Sequence, residues 1–137
     1  MTLQDDIRHI LQTTRTCAVV GLSPKPHRDS FIVARVLQAH GWRILPVNPA
    51  AQGSQILGET VYATLADAAK DHGIDLVDVF RNSEDAAAVV DEAIAVHAKA
   101  VWLQLGVVND AAIQRARAAG LRAVQDRCIK IEILRQS

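Results

Sequence analysis

The chain has 137 residues, half of them apolar, with fifteen Lys and Arg balanced by fifteen Asp and Glu. That length suffices for one domain with a real core. A formal net charge of zero excludes the broad electrostatic surface that DNA, RNA or an anionic membrane would need.

Thr2 can cap a first helix, with Asp5 and Asp6 in its first turn and Leu3, Ile7, Ile10 and Leu11 on one face. Cys17-Ala18-Val19-Val20 is short, apolar and β-prone, and it ends in Gly21. A loop carrying Ser23, Lys25, His27 and Arg28 follows, and a helical pattern over residues 31–40 stops at Gly41. A loop that runs from a strand into a helix N-terminus gathers free backbone N–H groups and the positive end of the helix dipole, a natural seat for phosphate. Lys25 and Arg28 add charge to it.

Residues 42–47 read as the second strand, and Asn48-Pro49 turns the chain. A looser region passes through Gly53, Gly58 and the small Val61-Tyr62 patch, then a short helix over residues 65–70. Residues 75–80 form the third strand. Ser83, Glu84 and Asp85 open a helix with Ala86, Val89, Val90, Ala93 and Ile94 on one face. Residues 100–103 form the fourth strand. Asn109 caps a helix that reaches Ala119 and stops at Gly120, and residues 121–124 form the fifth strand. In the tail, Ile129, Ile131 and Ile133 alternate like a strand, but Lys130, Glu132, Leu134 and Arg135 favour a closing helix.

Strands that are apolar throughout and alternate with helices imply a parallel sheet covered on both faces. The expected fold is α/β: a Rossmann-like three-layer sandwich with a parallel five-stranded sheet, one domain over residues 1–137. Ligands of such sheets sit outside the strand C-termini. That directs attention to residues 22–29, 48–53, 81–83, 104–109 and 125–128.

The dinucleotide fingerprint is missing. Gly21 is the only Gly of its loop, and the second strand ends in Val47-Asn48-Pro49 with no acid for ribose hydroxyls. No Gly-Lys-Ser/Thr triplet marks a P-loop. What is present, in order, is Val20-Gly21-Leu22-Ser23 with Lys25-Pro26, Pro46-Val47-Asn48-Pro49, Leu57-Gly58-Glu59 with Val61-Tyr62, Asp78-Val79-Phe80-Arg81, Trp102-Leu103-Gln104-Leu105-Gly106, and Asp126-Arg127-Cys128. This resembles the small stand-alone CoA-binding proteins, similar in fold to the CoA-binding domain of the succinyl-CoA synthetase α subunit. The resemblance covers nearly the whole chain. It implies coenzyme A or an acyl-CoA as ligand at the strand C-termini, and it implies no reaction. The synthetase's phosphorylated His belongs to a later region, with no counterpart here.

The residues agree with such a ligand. Gly21, Leu22, Ser23, Lys25, Arg28 and Ser30 form the phosphate loop. Val47, Asn48 and Pro49 border the second turn. Phe80 and Pro49 offer flat apolar surface, and Asn48, Arg81 and Gln104 can donate to phosphate or amide oxygens, with Gly106 beside them. In the synthetase a Lys follows the second-strand Pro, whereas here the stretch is Ala50-Ala51-Gln52-Gly53, so Lys25 or Arg28 is left to meet the 3′-phosphate.

No nucleophile–base pair is visible, and none of the five histidines has metal-ligand spacing. The expectation is no catalytic residue, no metal and no turnover by the isolated chain. Cys128 reads as a small buried hydrophobe, a nucleophile or a thiol partner for CoA, and Cys17 as core. Asp78 reads as an acid that bonds nearby backbone N–H groups, or as a buried catalytic acid. Trp42 and Trp102 read as packing residues, and Arg81 as a partner for ligand or for Glu84 or Asp85. The rival readings are a subunit or fragment of an acyl-CoA ligase or transferase, and an NAD- or nucleotide-binding regulator. Residues 1–6 do not look like a signal peptide, and no apolar run reaches membrane-spanning length, so a cytoplasmic protein without nucleic-acid or membrane partners is expected. The sequence points to no particular protein partner.

Overall fold

Thr2 and Asp5 start the fold by capping each other. The Thr2 side chain accepts from the Asp5 N–H at 3.1 Å, and the Asp5 carboxylate accepts from the Thr2 N–H at 3.0 Å. In the computed structural model, which describes residues 2–136, this launches helix α1 (Leu3–Thr13). The chain continues as β1 (Thr16–Val20), α2 (Asp29–Ala39), β2 (Arg43–Val47), β3 (Gln55–Ile56), β4 (Glu59–Thr60) and α3 (Leu65–Asp71). It closes with β5 (Leu76–Val79), α4 (Ser83–Ala95), β6 (Ala100–Leu103), α5 (Asp110–Ala118), β7 (Arg122–Val124) and α6 (Ile129–Gln136). Met1 and Ser137, the ends of the expected unit, lie outside the described residues. No helix among these is long and apolar enough to cross a membrane.

Five strands form one parallel sheet in the order β2-β1-β5-β6-β7. This is the expected α/β Rossmann-like sandwich. Its strands are apolar on both sides because both faces are covered. Val20, Val47, Val79, Val101 and Leu103 pack under α3, α4 and α5. Cys17, Val19, Ile44, Leu76, Trp102 and Val124 pack under α1, α2 and α6. Each fully buried Val, Leu or Ile contributes roughly 1.5–3 kcal/mol relative to exposure. Cys17 and Trp102, inside strands, and Trp42, just before β2, are core residues.

The chain leaves β1 toward one edge, at β2, and then returns past β1 to β5. Strand order therefore reverses between β1 and β5, and the loops after these two strands flank the crevice. At the opposite end, Asp75 ties the starts of the same strands together. It accepts from the Arg15 and Thr16 N–H groups at 2.9 and 3.1 Å and meets Lys99 at 3.4 Å. Burial raises its carboxyl, but those partners outweigh it and hold the carboxyl below its ordinary value.

Two expectations are corrected. The looser region contains an antiparallel ribbon, with Gln55 opposite Thr60 and Ile56 opposite Glu59. Its two-residue turn, Leu57-Gly58, has φ of 52° and 80°. A turn of this kind favours Asn-Gly or Asp-Gly, so Leu57-Gly58 gives little sequence signal. Tertiary packing holds it instead: Gln38 Nε2 donates to the Leu57 carbonyl at 2.8 Å, and Ile56 and Val61 are core residues.

The second correction concerns Asp78. It is fully buried in the middle of the sheet, beside Val19 and Trp102 in register, and neither carboxyl oxygen has a hydrogen-bond partner. The strand holds Asp78 on the face shared by Leu76, away from the loop whose N–H groups it was expected to meet. Burial pushes its carboxyl well above the ordinary value, and the nearby Val79 N–H offsets little of this.

Candidate functional site

Gly21 ends β1 at φ +89°, and its N–H donates to the Val47 carbonyl at 2.8 Å. A Cβ at this position would lie 2.3 Å from the Phe80 carbonyl oxygen. Only glycine lets the ends of β1 and β5 come this close. Beyond it, the loop is pinned to itself. Ser23 N–H donates to Ser30 Oγ at 3.0 Å, Lys25 N–H to Ser23 Oγ at 3.1 Å, and Arg28 N–H to the Lys25 carbonyl at 3.1 Å. The loop's own N–H groups at Ser23 and Lys25 are therefore taken.

The helix that follows leaves its donors open. Helices α1, α3, α4 and α5 are each capped by a Thr or Asn side chain, whereas Arg28 gives α2 no capping hydrogen bond. This open N-terminus borders a cleft of about 460 Å³ with Gly21, Ser23, Lys25, Arg28 and Phe80 on its walls. Lys25 and Arg28 are exposed, and neither forms an ion pair among the described residues. The dipole and the two cations together favour an anion, against one first-turn carboxylate, Asp29. His27 is exposed and borders neither this cleft nor the next.

A second cleft, about 600 Å³, opens between α2 and α6 over the ends of β5 and β6. It meets the first at Asp29 and Phe80. Ile32, Phe80, Leu105, Val107 and Ile131 make its walls apolar, and Arg81, Gln104, Cys128 and Lys130 add polar atoms. Gln104 is only 4% exposed. Its Oε1 accepts from the Ile129 N–H at 3.1 Å, while its Nε2 donates to no described residue. Arg81 is exposed and pairs with neither Glu84 nor Asp85. It also borders a third hollow of about 370 Å³, where Val47 and Pro49 lie.

The far wall is braced by hydrogen bonds between the loops after β6 and β7. Asp126, at φ 57°, accepts from the Gly106 N–H at 2.7 Å. Trp102 Nε1 donates to the Arg127 carbonyl at 2.8 Å. Asn109 N–H donates to Gln125 Oε1 at 2.9 Å. Cys128 is thereby held half-buried on the cleft wall.

The expected residues thus separate into groups. Gly21, Ser23, Lys25, Arg28 and Ser30 come together, Phe80, Arg81 and Gln104 share the apolar cleft, and Val47 and Pro49 border the hollow beside Arg81. Leu22, Asn48 and Gly106 border none of the three. Leu22 is buried and its carbonyl accepts from Asn48 Nδ2, and Asn48 Oδ1 accepts from the Ala50 N–H, so both ends of that amide are used internally. Gly106 has its N–H taken by Asp126. The candidate residues did not include Asp29, Ile32, Leu105, Val107, Lys130 or Ile131, although Asp29, Leu105 and Val107 lie in strand-end loops that the sequence picked out. Leu105 and Ile131 stand out only in the structure, as large apolar residues left 67% and 42% exposed.

A hollow of about 670 Å³ also lies at the other end of the strands, near Thr14, Lys99 and Arg122. Its polar groups serve the fold: Thr14 Oγ1 donates to the Ile10 carbonyl and accepts from Trp42 Nε1, and Arg122 pairs with Asp6 at 2.9 Å. The C-terminal clefts, with open donors, are the better site. Among the described residues no group of three or more His, Cys, Asp or Glu is placed to hold a metal ion.

Comparison with known proteins gives the family and supports the fold. A family model described as a CoA binding domain matches residues 15–133. The Bacillus subtilis (strain 168) protein YneT is 38% identical over 126 residues, covering 92% of this chain and 90% of that protein. The structure of cell-free ID.343 from Thermus thermophilus superposes with a TM-score of 0.91 at 34% identity, covering all of both chains. A hypothetical protein from Pyrococcus horikoshii OT3 gives 0.89 at 38% identity, over 98% of this chain and 92% of that one.

Proposed function

The chain belongs to the CoA binding domain family, and from that premise we propose that it is a cytoplasmic, single-domain protein that binds coenzyme A or an acyl-CoA and has no reaction of its own. The observation that carries this reading is the joining, at Phe80, of an uncapped cationic helix N-terminus to an apolar cleft. CoA has the matching halves. Its phosphates suit Lys25, Arg28 and the first-turn N–H groups of α2. Its pantetheine arm suits the walls of Ile32, Phe80 and Leu105, with the open Gln104 Nε2 as a donor for an amide oxygen. Adenine has flat apolar surface at Phe80 and Pro49.

Calorimetry with CoA, acetyl-CoA, NAD and ATP tests the reading. CoA or acetyl-CoA should bind more tightly than NAD, because the chain lacks both the Gly pattern and a ribose-holding acid at the end of β2. Tight NAD binding with no heat from CoA would discard it.

The cations give a second, finer test. Lys25→Ala or Arg28→Ala should each weaken CoA binding by about 1.5–3 kcal/mol, the range for hydrogen bonds to charged groups, or roughly ten- to a hundredfold in affinity. The loss should shrink with added salt, since both side chains are exposed. A residue that reads the 3′-phosphate loses more against CoA than against dephospho-CoA, and one that reads the pyrophosphate loses equally against both. If neither variant loses affinity for either ligand, the α2 N-terminus is not the phosphate seat.

A further inference from the structure

We propose that Cys128 captures coenzyme A covalently, as a mixed disulfide formed by exchange with CoA disulfide. The inference rests on the CoA-binding reading above and adds a chemical role to one side chain.

Cys128 is a wall of the apolar cleft, and it lies directly before Ile129, the residue whose N–H holds Gln104 Oε1 at 3.1 Å. Gln104 is nine-tenths buried, and its Nε2 is left without a protein partner in the same cleft. That donor is open to the cleft, where a ligand acceptor can meet it. The last amide of the pantetheine arm supplies such an acceptor, and only two methylenes separate that amide from the thiol sulfur. A ligand anchored at Gln104 therefore carries its sulfur to the neighbourhood of Cys128. The Trp102–Arg127 and Gly106–Asp126 hydrogen bonds fix the loop that presents the cysteine.

The other cysteine cannot compete. Cys17 is fully buried inside β1, and burial pushes its thiol well above the ordinary value.

The exchange balances without an outside electron donor. The Cys128 thiol gives up its proton to solvent, and its sulfur attacks one sulfur of CoA disulfide. The Cys128–CoA S–S bond forms as the CoA–CoA S–S bond breaks. One CoA leaves as thiolate and takes up a proton, with no net oxidation. A thiol reductant reverses the step and releases CoA and free Cys128.

The test uses the reduced, full-length protein and intact-mass spectrometry over time. CoA disulfide should add one CoA unit at Cys128 at least about tenfold faster than 2-hydroxyethyl disulfide does, the gain expected when a bound reagent is held beside its target. The advantage should fall in Lys25→Ala, whose reaction with 2-hydroxyethyl disulfide should be unchanged. Cys128→Ser should form no adduct yet still bind reduced CoA in calorimetry. If CoA binds but CoA disulfide reacts no faster than 2-hydroxyethyl disulfide, the capture is refuted and the binding reading stands. If CoA does not bind, the binding reading fails and the capture fails with it.

Discussion

Gly21→Ala should destabilise the protein by about 2–5 kcal/mol. Placing an L-residue at φ +89° costs roughly 1–2 kcal/mol. The added Cβ would also sit 2.3 Å from the Phe80 carbonyl oxygen, a backbone atom that cannot swing aside. Forcing atoms into a packed interior costs about another 1–3 kcal/mol. The sum is a large share of the 5–15 kcal/mol of a typical domain. Urea unfolding should show a lowered midpoint, and heating a Tm drop of roughly 5–20 °C. Gly41→Ala is the control. It has nearly the same φ, +93°, but nothing lies within 4 Å of its Cβ position. It should lose only the conformational part, about 1–2 kcal/mol. Equal losses in the two variants would mean that the β1–β5 approach is not tight. Where Gly21→Ala remains folded, β1 and β5 must part at the crevice, and CoA binding should weaken too.

Replacing Asp78 should act in the opposite direction, with a dependence on pH. Burial pushes its folded carboxyl well above the value near 3.8 at which the unfolded chain ionises. Above that value the unfolded state binds one proton fewer than the folded state, so stability falls as pH rises. The slope is about 1.4 kcal/mol per pH unit for as long as the folded carboxyl stays protonated. Asp78→Asn has no such proton to lose. Its stability relative to the parent should therefore rise with pH above the unfolded carboxyl's value, and the rise should stop once the folded carboxyl ionises. Below the unfolded carboxyl's value that pH-dependent advantage should vanish. Other groups titrate alike in both proteins and cancel in the difference. A difference that stays constant from pH 5 to 7 would mean that Asp78 is ionised in the fold.

Much of the architecture was legible because periodicity and capping are local. Asn109 and Thr2 cap as read, Gly41 and Gly120 take the left-handed conformation just past their helices, and residues 100–103 form a strand to the residue. The ambiguous tail is a helix, with Ile129 and Ile133 inward and Ile131 turned to the cleft. The Leu57-Gly58 ribbon was not legible, because contacts with distant Gln38 override a weak local preference. Asp78 could be placed on its strand but not given its neighbours.

The sequence by itself determined the alternation of strands and helices, the parallel sheet, the Gly-Ser-Lys-Arg loop after the first strand and the family resemblance. These follow from the order of apolar and polar residues along short stretches, and short-range geometry converts that order into elements directly. Which side chains share a cleft was decided only in three dimensions. Phe80, Gln104 and Cys128 lie on three different strand-end loops, and they meet only because β5 and β6 pair side by side and α6 closes over them. The same holds for hydrogen bonding. Asn48 and Gly106 have donors that look free in the sequence but are taken by Leu22 and Asp126, whereas Gln104 keeps one open. Whether a polar group is free depends on every partner within about 3 Å, and those partners come from parts of the chain that only folding brings together.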